Sequence, residues 1–131
     1  MAKVKGYIFS RKFMEERVPQ NIQNLTIKNY CITNKLLLQM SAVEYTMDGS
    51  YIILRNLFND LNSIDGLIFY SLFQLPIDDN ERNNICKFIL QKKKKIFFSI
   101  ENIVLKDLKS LNYINDIWNI KKIIPSTLQN L

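Results

Sequence analysis

The sequence predicts a three-layer α/β domain of the doubly wound type, with a mainly parallel four-stranded sheet in the order 2-1-3-4. Three observations predict it. Apolar bursts recur about every thirty residues, at Val4–Phe9, Leu36–Met40, Leu67–Tyr70 and Ile96–Phe98, the spacing that strand, crossover helix and strand require. Each burst runs into or past a serine (Ser10, Ser41, Ser71 and Ser99). Between the bursts lie segments with the helical period. Because such crossovers are right-handed, the polar residues after all four strands are expected on one edge, and open parallel sheets bind ligands outside that carboxyl edge.

The first strand, Val4–Phe9, is nearly continuous in its apolar character, as a strand covered on both faces would be. A loop with Arg11, Phe13, Arg17 and Pro19 leads to a helix that Pro19 can open and that runs to about Thr33. Ile22, Leu25, Ile27 and Tyr30 are expected to face the sheet. Leu36–Val43 makes the second strand. Leu54, Leu57, Phe58 and Leu61 give the next helix its period, with Asp48, Gly49 and Ser50 as its start signal and Asn62-Ser63 as its stop. Gly66–Tyr70 is the most apolar strand and is expected in the middle. Asp78 and Glu81 have the spacing of a capping box for a helix carrying Ile85, Phe88 and Ile89. Ile96–Ile100 is the fourth strand. A last helix, about Lys106–Lys122, offers Leu108, Leu111, Ile114 and Trp118 to the core. Residues 1–124 are expected to form one domain, with Pro125 ending order and residues 125–131 a tail.

Apolar content of 47% and charged content of 23% fit a globular domain. No apolar run approaches the roughly 18 residues that span a bilayer, so no membrane insertion and a cytoplasmic location are expected. Cys31 and Cys86 read as buried, reduced residues on helices. The chain has no histidine, which removes Ser-His-Asp and Cys-His nucleophile chemistry and most zinc sites. With three glycines, neither a dinucleotide fingerprint nor a phosphate loop exists. No cofactor or metal is implied. The net charge of +6 comes mostly from lysine, which outnumbers arginine 14 to 4. The run Lys92–Lys95 follows a helix, where cations complement the dipole, so it reads as a solvated face and nucleic acid is not expected as a partner.

The candidate site residues fall at the carboxyl edge. Arg11, Arg17 and Arg82 form a candidate anion clamp, because the guanidinium fork binds carboxylate or phosphate at two points. Arg55 lies near them. Glu44 and Glu101 follow strands two and four and are candidate general bases. Ser71 and Gln74, in the block Tyr70-Ser71-Leu72-Phe73-Gln74-Leu75-Pro76, and Gln20, beside Gln23 and Asn24, are candidate contacts to hydroxyls. Tyr70 or Phe73 could floor a pocket.

Gly6-Tyr7-Ile8-Phe9-Ser10, a Gln-rich helix and Ile64-Asp65-Gly66-Leu67-Ile68-Phe69-Tyr70 resemble, at the level of fold, the catalytic domain of serine recombinases over residues 4–104. That resemblance implies Ser10 as a nucleophile toward DNA. It also implies an arginine two residues before the serine, where Ile8 stands, and a Leu-Asp-Arg pair of arginines after strand three, where Leu72-Phe73-Gln74-Leu75-Pro76 stands. Recombination is therefore not expected.

A second resemblance runs almost the full length. Tyr7-Ile8-Phe9-Ser10-Arg11, Arg17-Val18-Pro19-Gln20, Gln23-Asn24-Leu25, Ser41-Ala42-Val43-Glu44-Tyr45 and the Tyr70–Pro76 block are similar to the bacterial sporadic carbohydrate cluster proteins. It implies a place in surface-carbohydrate or lipopolysaccharide biosynthesis. The expectation is an enzyme acting on a nucleotide sugar or sugar phosphate. Arg11, Arg17 and Arg82 would hold the anion, Gln20, Tyr45, Ser71 and Gln74 would bind the sugar, and Glu44, Glu101 or Ser10 would be catalytic. The alternative is a non-catalytic subunit that docks on an enzyme of the pathway. A homodimer through an outer helix or an edge strand is also left open.

Overall fold

The apolar bursts do form strands, and the chain closes them into a five-stranded sheet. The computed structural model describes residues 1–13, 17–47 and 50–129, with side chains up to residue 123. The elements are β1 (Lys3–Phe9), α1 (Gln20–Thr33), β2 (Leu37–Glu44), α2 (Ile52–Leu57, continued by the 3-10 helix Phe58–Ser63), β3 (Gly66–Phe69), α3 (Asp79–Gln91), β4 (Lys95–Phe98), β5 (Ile103–Leu105) and α4 (Leu108–Gln129), with a 3-10 turn at Leu72–Gln74. The sheet order is β2-β1-β3-β4-β5. The first four strands are parallel, and β5 is antiparallel to β4. The expected order 2-1-3-4 is present, but the sheet has a fifth strand. At three residues β5 carries too little alternation to stand out in the sequence, and it is entered through Asn102, which holds φ at 54°.

Side-chain alternation divides the strands between two cores. Tyr7, Phe9, Leu67, Phe69, Ile96 and Phe98 pack with Leu54 and Leu57 of α2, Ile85 and Ile89 of α3, and Leu111, Ile114 and Trp118 of α4. Val4, Ile8 and Ile68 point to the opposite face and meet Ile27 and Cys31 of α1. Each fully buried Leu, Ile or Phe here contributes about 1.5–3 kcal/mol relative to exposure. The buried stripe of α1 is Gln23, Ile27 and Cys31. Ile22 and Leu25, expected to face the sheet, are 43% and 54% exposed, because the helix is rotated to bring Gln23 inward.

Asp78 caps α3 as its spacing predicts, accepting the Glu81 N–H at 2.9 Å. The start signal expected at Asp48 and Gly49 lies outside the described residues. Helix α4 continues through Pro125, where the sequence placed the end of order. Among the described residues, no helix is long and apolar enough to cross a membrane.

Helices α1 and α3 end alike, at the edge where the parallel strands begin. In α1 the N–H of Lys35 donates to Ile32 and that of Leu36 to Cys31; in α3 the N–H of Lys93 donates to Leu90 and that of Lys94 to Ile89. Both pairs form the Schellman pattern, whose left-handed position usually holds glycine. Here lysine holds it, Lys35 at φ 57° and Lys93 at φ 60°, a conformation that costs a residue with a Cβ about 1–2 kcal/mol.

Candidate functional site

The carboxyl edge is built on two polar networks, with Ser10 between them. The first centres on Glu44, the last residue of β2, which is 1% exposed. Its Oε1 accepts the Tyr7 hydroxyl at 2.9 Å and the Leu54 N–H at 3.2 Å. Its Oε2 accepts the N–H groups of Tyr45 at 3.0 Å and Ile53 at 3.1 Å, and the Ser50 hydroxyl at 3.5 Å. A buried carboxylate requires donors on every side, and these supply them while holding the first turn of α2 against the strand end. Burial, and then the Glu44 charge, drive the Tyr7 hydroxyl pKa far up, so it stays a donor.

The second network joins the ends of β1, β3 and β4. Gln23 is fully buried. Its Nε2 donates to Phe9 O and Val18 O at 2.8 Å, and its Oε1 accepts the Phe9 N–H at 3.0 Å and Gln74 Nε2 at 2.8 Å. Gln74 Oε1 in turn accepts the Ser71 N–H at 3.2 Å, and Ser71 Oγ accepts the Phe73 N–H at 3.1 Å. Ser71-Leu72-Phe73-Gln74 is therefore a capping box on a 3-10 turn. Glu101 completes the chain, accepting the Ser71 hydroxyl at 2.6 Å and the Leu72 N–H at 2.9 Å.

Ser10 follows β1 and is half-buried, its Oγ donating to the Glu44 carbonyl at 2.8 Å. The Gln23 amide clamps the preceding residue, Phe9, on both its N–H and C=O. The strand end carrying Ser10 is thus held from the side of β2 and from the side of α1.

The three-arginine clamp is not assembled in this arrangement. Arg11 is 6% exposed; it donates to the carbonyls of Tyr45 at 3.0 Å and Met47 at 2.9 Å, and it stacks over Phe9 and Tyr51 at 4.3 and 5.1 Å. Arg82 is 1% exposed and lies over Trp118 at 4.8 Å; it donates to Asn115, to the carbonyls of Pro76 and Ile77, and to Asp79. Arg55 pairs with Glu81 at 2.6 Å. Arg17, Gln20 and the Tyr45 side chain are exposed. Among the described residues no group of three His, Cys, Asp or Glu could hold a metal ion.

The sequence reading missed Tyr7 and Ser50 as members of the Glu44 network, and Asn115 as a partner of Arg82. For Tyr7 there was a signal: a tyrosine inside an apolar strand needs a partner for its hydroxyl. Asn115, which also donates to Asn83 at 2.8 Å, carries none in its local sequence.

No family model and no curated protein matches the sequence. Two solved structures share its architecture end to end. One is the N-terminal catalytic domain of TP901-1 integrase, at 15% identity and a TM-score of 0.63, covering 96% of this chain and 97% of that one. The other is a resolvase family site-specific recombinase from Streptococcus pneumoniae, at 13% identity and a TM-score of 0.65, covering 97% and 95%. These neighbours overturn the carbohydrate reading: the surface-carbohydrate pathway, the sugar ligand, the docking subunit of such a pathway and the exclusion of nucleic acid as a partner all go with it. Nothing supports the carbohydrate cluster family. What the likeness shows is the fold, and the fold is that of the resolvase and integrase catalytic domains.

Proposed function

We propose that this chain is a DNA-acting domain of the resolvase type, in which Ser10 meets the phosphate that is attacked. The observation that carries the reading is the placement of Ser10 at the carboxyl end of β1, half-buried and pinned from both sides, in a fold matched over nearly its whole length by recombinase domains. Attack by Oγ would form a phosphoserine ester, break one phosphorus–oxygen bond to deoxyribose, and pass the hydroxyl proton to the leaving oxygen. In this reading Glu44, Gln23 and Gln74 are positioning residues, acting through the strand end. Lys12 and Arg17, exposed on the loop after Ser10, supply charge toward the backbone.

A second reading is favoured by one observation. Three of the four guanidiniums that could steady a phosphoryl transition state, those of Arg11, Arg55 and Arg82, are already engaged by carbonyls and carboxylates. That commitment fits a domain that binds DNA without transferring a strand.

One experiment separates the two. Protein is incubated with supercoiled plasmid and a labelled duplex, then run beside Ser10→Ala on a native gel for binding and on a denaturing gel for covalent adducts. A covalent protein–DNA adduct that vanishes in Ser10→Ala is the expected result. Binding with no adduct selects the second reading, and absence of any DNA binding overturns both.

A further inference from the structure

We propose that the edge of the sheet opposite Ser10, where the parallel strands begin, binds the phosphate backbone of duplex DNA. The proposal rests on the reading of the chain as a DNA-acting domain and adds where the duplex lies. The topology gathers there lysines that are far apart in sequence. Lys3 opens β1, Lys35 closes α1 just before β2, and Lys92–Lys95 join α3 to β4. The register places them side by side, since Lys3 pairs with Leu37 and Lys95 with Gly66. The N–H of Asp65, between them, donates to the Lys3 carbonyl, and the N–H of Lys95 donates to the Asp65 carbonyl. With neighbouring strands about 4.8 Å apart, the row from β2 to β4 is about 15 Å long. Duplex DNA presents a charge about every 1.7 Å of axis, so such a row faces several phosphates.

Five of these six lysines are exposed, and Lys94 is half-buried. Among the described residues, the lysines in ion pairs are Lys5, with Asp60, and Lys122, with Asp79, so none of the six is held by an acid in that way. The nearby acids among the described residues are three: Asp65, whose carboxylate accepts the Lys3 N–H at 2.7 Å, Asp60, and Asp107, which follows the antiparallel β5 back to this edge. Acids are instead concentrated at the opposite edge, in Glu44, Asp78, Asp79, Glu81 and Glu101. The net charge of +6 is thus polarised along the strand direction. Attraction to the helix dipoles accounts for lysine after α1 and α3, yet not for Lys3 or Lys95, which open strands. Nor does it account for lysine in the left-handed position of both Schellman turns, which glycine fills without strain. The six are compact point charges, suited to phosphate and not to reading bases, so the contact is independent of sequence.

The test is fluorescence anisotropy of a labelled short duplex over a range of salt. If four or five lysines contact phosphates, log K falls with log salt at a slope of about −4. Lys92→Gln/Lys94→Gln/Lys95→Gln should bind about tenfold or more weakly at low salt, with a slope shallower by about 2 to 3. Lys3→Gln, which leaves the helix end untouched, should weaken binding in the same direction, with the melting temperature of each variant checked first. If both variants bind as the parent does while Lys12→Gln/Arg17→Gln loses affinity, the duplex lies only at the Ser10 edge; the inference falls and the DNA-acting reading stands. If the parent binds no duplex, both fall. Lysine-dependent capture by phosphatidylserine vesicles in place of DNA would likewise overturn the assignment to nucleic acid.

Discussion

Gln23 shows how one buried polar side chain can hold a site. It is fully buried and makes four hydrogen bonds, two of them to the backbone of Phe9 and one to Gln74. Truncating it strands those partners without water, at about 1–3 kcal/mol for each buried group left unpaired. Gln23→Ala should therefore lower stability by about 2–4 kcal/mol in urea unfolding, some of the lost contacts being retaken by relaxation. The single tryptophan, Trp118, is buried in the core and reports the transition. Gln20→Ala, three residues earlier and exposed, should change stability by less than about 0.5 kcal/mol. Equal effects would mean that the network does not carry the strand end. The sequence grouped Gln20, Gln23 and Asn24 as one polar cluster. What separates them is the stripe Gln23, Ile27, Cys31 at steps of four, in which a glutamine shares the buried face with apolar residues. Ser71 and Gln74 have the Ser-x-x-Gln spacing of a capping box, but the sequence reading took their hydroxyl and amide as contacts to a ligand and not to the turn itself. That Tyr7, Ile53 and Leu54 bond Glu44 was not legible, because they come from β1 and α2 and meet it only once the strands are ordered.

Among the elements, two glycines fix how closely the strands approach, and they differ in what stands against them. A Cβ on Gly66 would lie 2.4 Å from the backbone carbonyl oxygen of Lys95, on the adjacent β4. A Cβ on Gly6 would lie 2.2 Å from Ser41 Oγ, a side chain that can rotate away. Gly6 also sits where the β1–β2 register shifts, between the Lys5 and Tyr7 pairs, so that Met40 and Ser41 of β2 together oppose it. Gly66→Ala must displace backbone in the centre of the sheet and should cost at least the roughly 1–3 kcal/mol of an overpacked core. Gly6→Ala should cost less, and Gly6→Ala with Ser41→Ala less again. Chemical unfolding of the three variants checks the order, and a Gly6→Ala as damaging as Gly66→Ala would contradict it. At this scale the sequence carried most of the fold: four parallel strands, their order and the crossover helices follow from apolar spacing and handedness. It lost β5, which is too short for a period to be seen. It also misjudged the rotation of α1, because α1 carries apolar residues on more than one face, with Ile22, Leu25 and Ile32 left exposed.

For the molecule as a whole, the absence of histidine and the burial of two thiols and three phenols set the pH dependence of stability. Burial pushes the Cys86 thiol up to about 12 and the Cys31 thiol up to about 11, and drives Tyr7, Tyr51 and Tyr30 in the same direction. A group whose pKa is raised by folding contributes stability that is fully present below its unfolded value, near 8.5–9 for a thiol and about 10 for a phenol, and is lost as pH rises toward the folded value. On the acid side, hydrogen bonds from Lys122 and Arg82 hold Asp79 below the usual carboxylate range, and bonds from Ser110 hold Asp107 there. Their contribution is present above about pH 4 and is lost as pH falls through the folded values; both are exposed, so salt screens it. With no histidine to charge, the melting temperature should be nearly flat from about pH 5 to 8.5. It should then fall between about pH 9 and 11 as the unfolded chain releases protons that the folded chain retains. Cys86→Ala removes one of those protons and opens a small cavity, so it should melt below the parent at neutral pH and converge on it as pH approaches 11. Parallel melting curves for the two proteins across that range would mean that the Cys86 thiol ionises as readily in the folded core as in the unfolded chain.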